Sequence, residues 1–348
     1  MKVVLVIFSS LRADHLGPYG NRWLRTESFD RLAEAGRVFF GTNCGDPDPA
    51  GIRMELLTGL DRRRFTEWKP RGEYTLPGRL GRTGYQTALF TDNFPMLELY
   101  ERSDSFGTIC NIPGQGPDRH VPTEFSPFED AGRAGFNAII SGQAAVPPDD
   151  QLDAYARNLS FYGHLGHPSQ RLVQAVNDFL AKIRREDRWF ILVDAYGLNP
   201  PWDPPPEFTR FRNADDAKNL AWPVPGPVNS SDPDISRQIN FLRRAYADGC
   251  LFLDHLAGKL AAEEEVNLIV MSDHGLLVGD ENFLGYRSGP DSPILRRQVL
   301  ISRGPGVEEK TRHDGPIRPV DLFASILAKL GPEERVVSDG RVVEELFR

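Results

Sequence analysis

The stretch VVLVIFSSLRADHLGPYG, Val3 to Gly20, decides how this chain is read. Its first six residues, Val3 to Phe8, form an unbroken apolar run of the length that a strand buried on both faces needs. The run stops at Ser9 and Ser10 and passes into a Leu11-Arg12-Ala13-Asp14-His15 turn. In an open α/β sheet, a strand end of this kind lies at the crevice where ligands bind. What stands at this tip is two neutral hydroxyls and no carboxylate.

Working outward, further runs of the same kind predict strands at Arg37–Phe40, Thr87–Thr91, Trp189–Val193, Asn267–Met271 and Gln298–Ser302. Amphipathic segments alternate with them. Ser28 to Glu34 carries apolar residues at helical spacing, and Ile52 to Leu60 reads as a short helix behind a Gly- and Pro-rich loop. Leu172 to Ile183, about Ile235 to Ala262, and Val320 to Leu330 complete the helices. Alternating strands and helices predict a largely parallel sheet covered on both faces. Two segments lack periodicity, Asp104 to Asp150 and the proline-dense Pro200 to Asp234. They read as binding loops or as disorder. No repeat and no clean linker breaks the chain, so residues 1–348 are expected to form a single α/β domain.

Composition narrows the partners. With 348 residues, 40% hydrophobic and 26% charged, the chain reads as an ordinary globular protein able to bury a large core. Its net charge of -8 argues against non-specific nucleic-acid binding. No apolar run reaches the roughly 18 residues a membrane span needs. Met1 and Lys2 lead straight into the first strand, so that segment is not read as a removable leader. Cys44, Cys110 and Cys250 are scattered and odd in number, which suits a reducing, cytoplasmic setting.

Eight motifs follow one another along the chain: LRADHLGPYG (Leu11–Gly20), FDRLAEAG (Phe29–Gly36), RMELLTG (Arg53–Gly59), TALFTD (Thr87–Asp92), PPWDPPPEF (Pro200–Phe208), MSDHG (Met271–Gly275), RGPG (Arg303–Gly306) and RPVDLFASIL (Arg318–Leu327). In this order they resemble the sulfatase family of the alkaline-phosphatase superfamily, in its arylsulfatase and phosphonate monoester hydrolase branch. The resemblance spans about Val3 to Leu346. It implies an alkaline-phosphatase-like α/β fold with a large, mostly parallel sheet, and a C-terminal subdomain that is largely absent here. It also implies metal-assisted displacement at sulfur or phosphorus, a bound cation offsetting the developing negative charge.

Carried over position by position, the family's site is degenerate. The strand-one aspartate falls on Ser9 and its neighbour on Ser10. Anchored on Arg53, the C-x-P-x-R nucleophile pattern maps onto Pro49–Arg53, so the attacking residue falls on Pro49, which has nothing to attack with. Cys44 lacks the following Pro and Arg spacing. The D-S-F-D-P-H-E-P-W-D-P-P motif reads DAYGLNPPWDPP, so its histidine falls on Asn199 and its second aspartate on Gly197. The His-Pro after the third strand becomes Asn93-Phe94, and the later lysine falls on Tyr286. Asp273, His274 and Arg53 survive.

These substitutions imply an esterase that has lost its chemistry and kept its cleft for a small anionic ligand or a protein partner. Ser9, Ser10, Arg53, Asn93, Asn199, Asp273, His274 and Tyr286 would line that cleft. No cofactor is expected. A hard divalent cation collects about six or more oxygen ligands, and Asp273 with His274 would make at most a weak, open site. Each survivor also has a plainer reading. Asp273 would accept backbone hydrogen bonds at a helix start, His274 would be a satisfied pocket histidine, and Arg53 would bind an anion or pair with Asp273. Arg12, Asp14 and Asp254 read as structural pairs, and Trp202 as part of a lid. The alternative is a hydrolase or transferase rebuilt around Ser9 or Ser10 with His274 as base, which requires a hydroxyl within hydrogen-bond reach of that histidine. A third reading makes the chain one subunit of a larger assembly.

Overall fold

The computed structural model describes residues 1–64, 71–116, 118, 148–213, 215, 219–260, 265–287, 292–331 and 336–348. Residues 117 and 119–147, most of the first aperiodic segment, lie outside the described residues, as do 261 and 262 at the predicted end of the longest helix. The strands are β1 (Lys2–Phe8), β2 (Gly36–Phe39), β3 (Gln86–Thr91), β4 (Thr108–Asn111), β5 (Trp189–Ala195), β6 (Gly226–Pro227), β7 (Asn267–Ser272), β8 (Leu277–Val278), β9 (Phe283–Gly285), β10 (Leu300–Arg303) and β11 (Thr311–His313). Eight of them form one sheet in the order β11-β2-β10-β7-β1-β5-β3-β4, and β6, β9 and β8 form a small antiparallel sheet. In the large sheet only β10 runs against its neighbours. The predicted, largely parallel sheet is therefore present.

The helices are α1 (Glu27–Glu34), α2 (Pro49–Thr58), α3 (Leu76–Arg82), α4 (Phe94–Ser103), α5 (Asp149–Tyr162), α6 (Pro168–Ile183), α7 (Pro233–Lys259), α8 (Pro293–Arg296) and α9 (Pro319–Leu330). Side-chain alternation along each central strand divides the core in two. Val4, Val6 and Phe8 of β1 join Ile191 and Val193 of β5 and Leu268 and Val270 of β7 on one face. Val3, Leu5 and Ile7 join Phe190, Leu192, Ile269 and Met271 on the other, with Leu56, Leu57, Phe323 and Ile326 from α2 and α9. That second face carries the site. Ser9, Asp194 and Asp273 each sit two residues beyond a member of it, and the register sets Ile7 beside both Asp194 and Met271.

Several boundaries differ from expectation for local reasons. Helix α2 starts at Pro49 rather than Ile52, because Asp48 caps it by accepting from the amides of Ala50 and Gly51 and Pro49 takes the first helical turn. Strand β10 starts at Leu300, since the Gln298 side chain turns to donate to the carbonyls of Ser272 and Asp273. Strands β4, β6, β8, β9 and β11 and helices α3, α4, α5 and α8 have no counterpart among the elements expected from the sequence. The described residues of the Pro200–Asp234 segment are anchored: the Trp202 amide donates to the Ala221 carbonyl at 2.7 Å, and β6 pairs with β9.

Candidate functional site

The ends of β5, β1 and β7 lie side by side beneath the first turns of α2, and one side chain joins them. Arg53 reaches back from α2 and places its guanidinium between two carboxylates. Its Nε donates to Asp194 Oδ2 at 2.7 Å, and its Nη2 donates to Asp194 Oδ1 at 2.6 Å and to Ser9 Oγ at 2.8 Å. Its Nη1 donates to Asp273 Oδ2 at 2.9 Å and to the Pro49 carbonyl at 3.0 Å. All five N–H donors of the guanidinium are thereby used. Arg53, Asp194, Asp273 and His274 are 0% exposed. Burial alone would weaken the Arg53 charge, but the two aspartates outweigh it and hold the group far above its ordinary range.

The carboxylates have further partners. Asp194 Oδ2 accepts from the Tyr100 hydroxyl at 2.6 Å, and Oδ1 from Asn93 Nδ2 at 3.2 Å. Asp273 Oδ1 accepts from the amides of Ser10 at 2.9 Å and His274 at 2.7 Å. Burial pushes the Asp273 carboxyl up, and its interactions with His274, Arg53 and the Ser10 amide outweigh that and bring it below the usual range. Backbone hydrogen bonding at Asp273 is thus present, though at a loop and not at a helix start. Ser10 adopts a left-handed backbone, φ 61°, fixed on one side by Asp273 and on the other by Tyr246, whose hydroxyl donates to the Ser10 carbonyl at 2.7 Å.

The other expected residues fall around this centre. Asn93 bridges Ser9 Oγ and Asp194. Asn199 Oδ1 accepts from Ser10 Oγ at 2.6 Å. The Tyr286 ring lies 5.0 Å from the His274 ring, and Tyr286 is 41% exposed, which makes it the outermost of the set. His274 Nδ1 donates to the Gly275 carbonyl at 2.6 Å, while its buried Nε2 has no hydrogen-bond partner. It is half satisfied. Neither serine hydroxyl bonds to it, so the Ser-His pairing that a rebuilt hydrolase requires is not formed.

Three expectations need correction. Arg53 has no N–H left for an anion, and the start of α2, where an anion would be favoured, is already capped by the Asp48 carboxylate. Asp254 is no ion-pair partner: its carboxylate accepts from the Ser28 and Phe29 amides at the start of α1. Trp202 is no lid over the crevice. It is buried against Tyr246, with its Nε1 donating to the Leu198 carbonyl at 2.7 Å. Arg12 does pair with Asp14, and also with Asp280. Cys44 is buried, and that burial pushes its thiol up to about 12, far from a nucleophilic thiolate.

Gly197 explains one substitution directly. At φ 66°, a Cβ on it would lie 2.4 Å from the Ser9 carbonyl oxygen and 2.6 Å from the Ser9 nitrogen. The Leu198 amide, one residue on, donates to that same carbonyl at 2.8 Å. With the backbone so close, no aspartate fits at 197.

The sequence matches the sulfatase family model over residues 2–332. The chain belongs to the sulfatase family. Solved structures share its fold. The phosphonate monoester hydrolase from Silicibacter pomeroyi superposes with a TM-score of 0.66 at 18% identity, covering 99% of this chain and 76% of that one. The phosphonate monoester hydrolase of Agrobacterium radiobacter gives 0.64 at 17%, covering 99% and 77%. The C-terminal periplasmic domain of a phosphoethanolamine transferase from Campylobacter jejuni gives 0.57 at 15%, covering 94% and 88%. No curated protein matches the chain.

Two features of this sulfatase-family site were missed by sequence reasoning. Asp194 and Tyr100 belong to its centre. The strand was read as ending at Val193, which hid Asp194, although its alternation with Phe190 and Leu192 was the available signal. The second is a separate cavity of about 350 Å³, lined by residues that include Gly116, Tyr155, Tyr162, His167 and Asp203. There Tyr155 donates to Asp203 Oδ2 at 2.5 Å. His167 Nδ1 accepts from the Ser169 amide, which leaves the ring proton on Nε2, 3.8 Å from Asp203 Oδ1. No helix among the described residues is long and apolar enough to cross a membrane.

Proposed function

We propose that this sulfatase-family protein has lost ester hydrolysis by the family reaction and works as a binding protein on the sulfatase scaffold. One argument carries the reading: motif spacing puts the family's nucleophile position on Pro49, which opens the first turn of α2, and the arginine beneath it is wholly engaged with protein oxygens. Displacement at sulfur or phosphorus needs an attacking atom and an unspent positive charge facing the ester. Three free cysteines support a reducing, cytoplasmic setting, and the acidic balance supports a small-molecule or protein partner over nucleic acid.

The ligand site of such a protein is the cavity beside Asp203. A carboxylate held by Tyr155 among aromatic rings suits a hydroxyl- or amino-bearing small molecule better than the small anion the family resemblance suggests. The test is turnover of aryl sulfates, phosphonate monoesters and phosphodiesters by purified protein, with and without added divalent metal. Rates at the uncatalysed background are expected, and metal-dependent turnover would sink the proposal. Stabilising compounds found by thermal-shift screening of amino and hydroxyl compounds should lose roughly tenfold or more in affinity in Asp203→Ala, the loss of one charged hydrogen bond.

A further inference from the structure

We propose that the Arg53 guanidinium is the resident cation of this cleft, filling the charge position between Asp194 and Asp273 so that the protein needs no divalent metal there. The sulfatase family implies such a metal, and the residues present do not fit it. Asp194 already receives Arg53 twice, Tyr100 and Asn93. Asp273 Oδ1 is taken by two amides and Oδ2 by Arg53. Beyond these, Asp273 and His274 Nε2 offer too few donors for a hard cation, which collects about six or more oxygens.

The acceptors that converge on the guanidinium are all oxygens: both of Asp194, Oδ2 of Asp273, Ser9 Oγ and the Pro49 carbonyl. Oxygen is the donor type that calcium, magnesium and manganese take. Arginine therefore sits in a cradle that a divalent cation could use, and excludes it by charge and by volume. Taking the guanidinium away exposes two buried carboxylates with no counter-charge, surrounded by oxygens already facing one point. The inference does not depend on whether the protein turns over an ester, since a metal-free catalyst would leave it standing while overturning the function proposed above.

The experiment compares thermal unfolding of wild-type protein, Arg53→Ala and Arg53→Met after chelation, and again with millimolar calcium, magnesium or manganese. The wild-type midpoint is expected to move by less than about 1 °C, while a folded variant starts lower and regains on the order of 5 °C with at least one cation, as ligation of the native state alone requires. Manganese bound by the variant and not by the wild type, read by electron paramagnetic resonance, is the parallel result. A wild-type midpoint that falls on chelation and returns with metal overturns the assignment, and so does a folded variant that answers to no cation. Should neither variant fold, the wild-type arm decides alone.

Discussion

Asp194 accepts from Arg53, Tyr100 and Asn93 at once, so its removal leaves two buried guanidinium N–H groups and two further donors without that acceptor, and Asp273 as the only counter-charge Arg53 keeps. Breaking a buried pair from one side costs about 3–5 kcal/mol, and Asp194→Ala should lose that much in urea unfolding. Tyr100→Phe, which removes a single donor, should cost about 1–2 kcal/mol. Asp273 supplies a pH signature. Its folded value lies below the ordinary carboxylate range, so the unfolded chain takes up a proton first as pH falls. Its contribution is complete above about pH 5, declines as the unfolded chain protonates at about pH 4, and is gone once pH has dropped through the folded value. Asp273→Asn should therefore flatten the acid limb of stability against pH. At this scale motif spacing was enough to group Ser9, Pro49 and Asp273, each of which contacts Arg53, with His274 next to Asp273. The role of Arg53 was only half legible. Sequence offered Asp273 as a partner, and the second carboxylate, which uses up its donors, comes from a strand end 141 residues away.

Helix α2 shows what an element adds to its residues. Asp48 accepts from the Ala50 and Gly51 amides, and Pro49 follows with its φ already suited to a first turn. Together they fix the helix start and thereby aim Arg53 back at the strand ends. Asp48→Ala should cost about 0.5–2 kcal/mol. It should also broaden the Arg53 Nε–H resonance in NMR spectra, as the turn holding the side chain loosens. Elements with strong apolar runs, β1, β5 and β7, were plain in the sequence. The short edge strands β4 and β11 were not, because each is only partly buried and carries no continuous apolar signal. Helix α5 escaped for another reason: Asp149, Asp150 and Asp153 crowd its first turns and hide the buried Leu152, Tyr155 and Ala156.

Across the whole molecule, the sheet order places β5, β1 and β7 at the centre with core on both faces. Amides of these three strands should exchange with deuterium at rates set by global unfolding, and those of β4 and β11 much faster, in hydrogen-exchange mass spectrometry. The class of fold was legible because alternating strands and helices admit few layered solutions. The antiparallel insertion of β10 was not, since direction leaves no mark on a strand as short as Leu300–Arg303. Fold-level likeness to phosphonate monoester hydrolases at 18% and 17% identity fits that pattern: the layers persist while most residues differ.

The packing of Gly197 against Ser9 limits what this corner of the molecule can accept. A methyl group at 197 would collide with the backbone at the tip of β1, so no larger side chain enters there until that tip moves. The tip is in turn pinned by the Ser10–Asp273 and Leu198–Ser9 hydrogen bonds. Residue 197 and the tip of β1 are therefore coupled: a side chain can enter at the one only if the backbone shifts at the other, so substitutions here must come as a set.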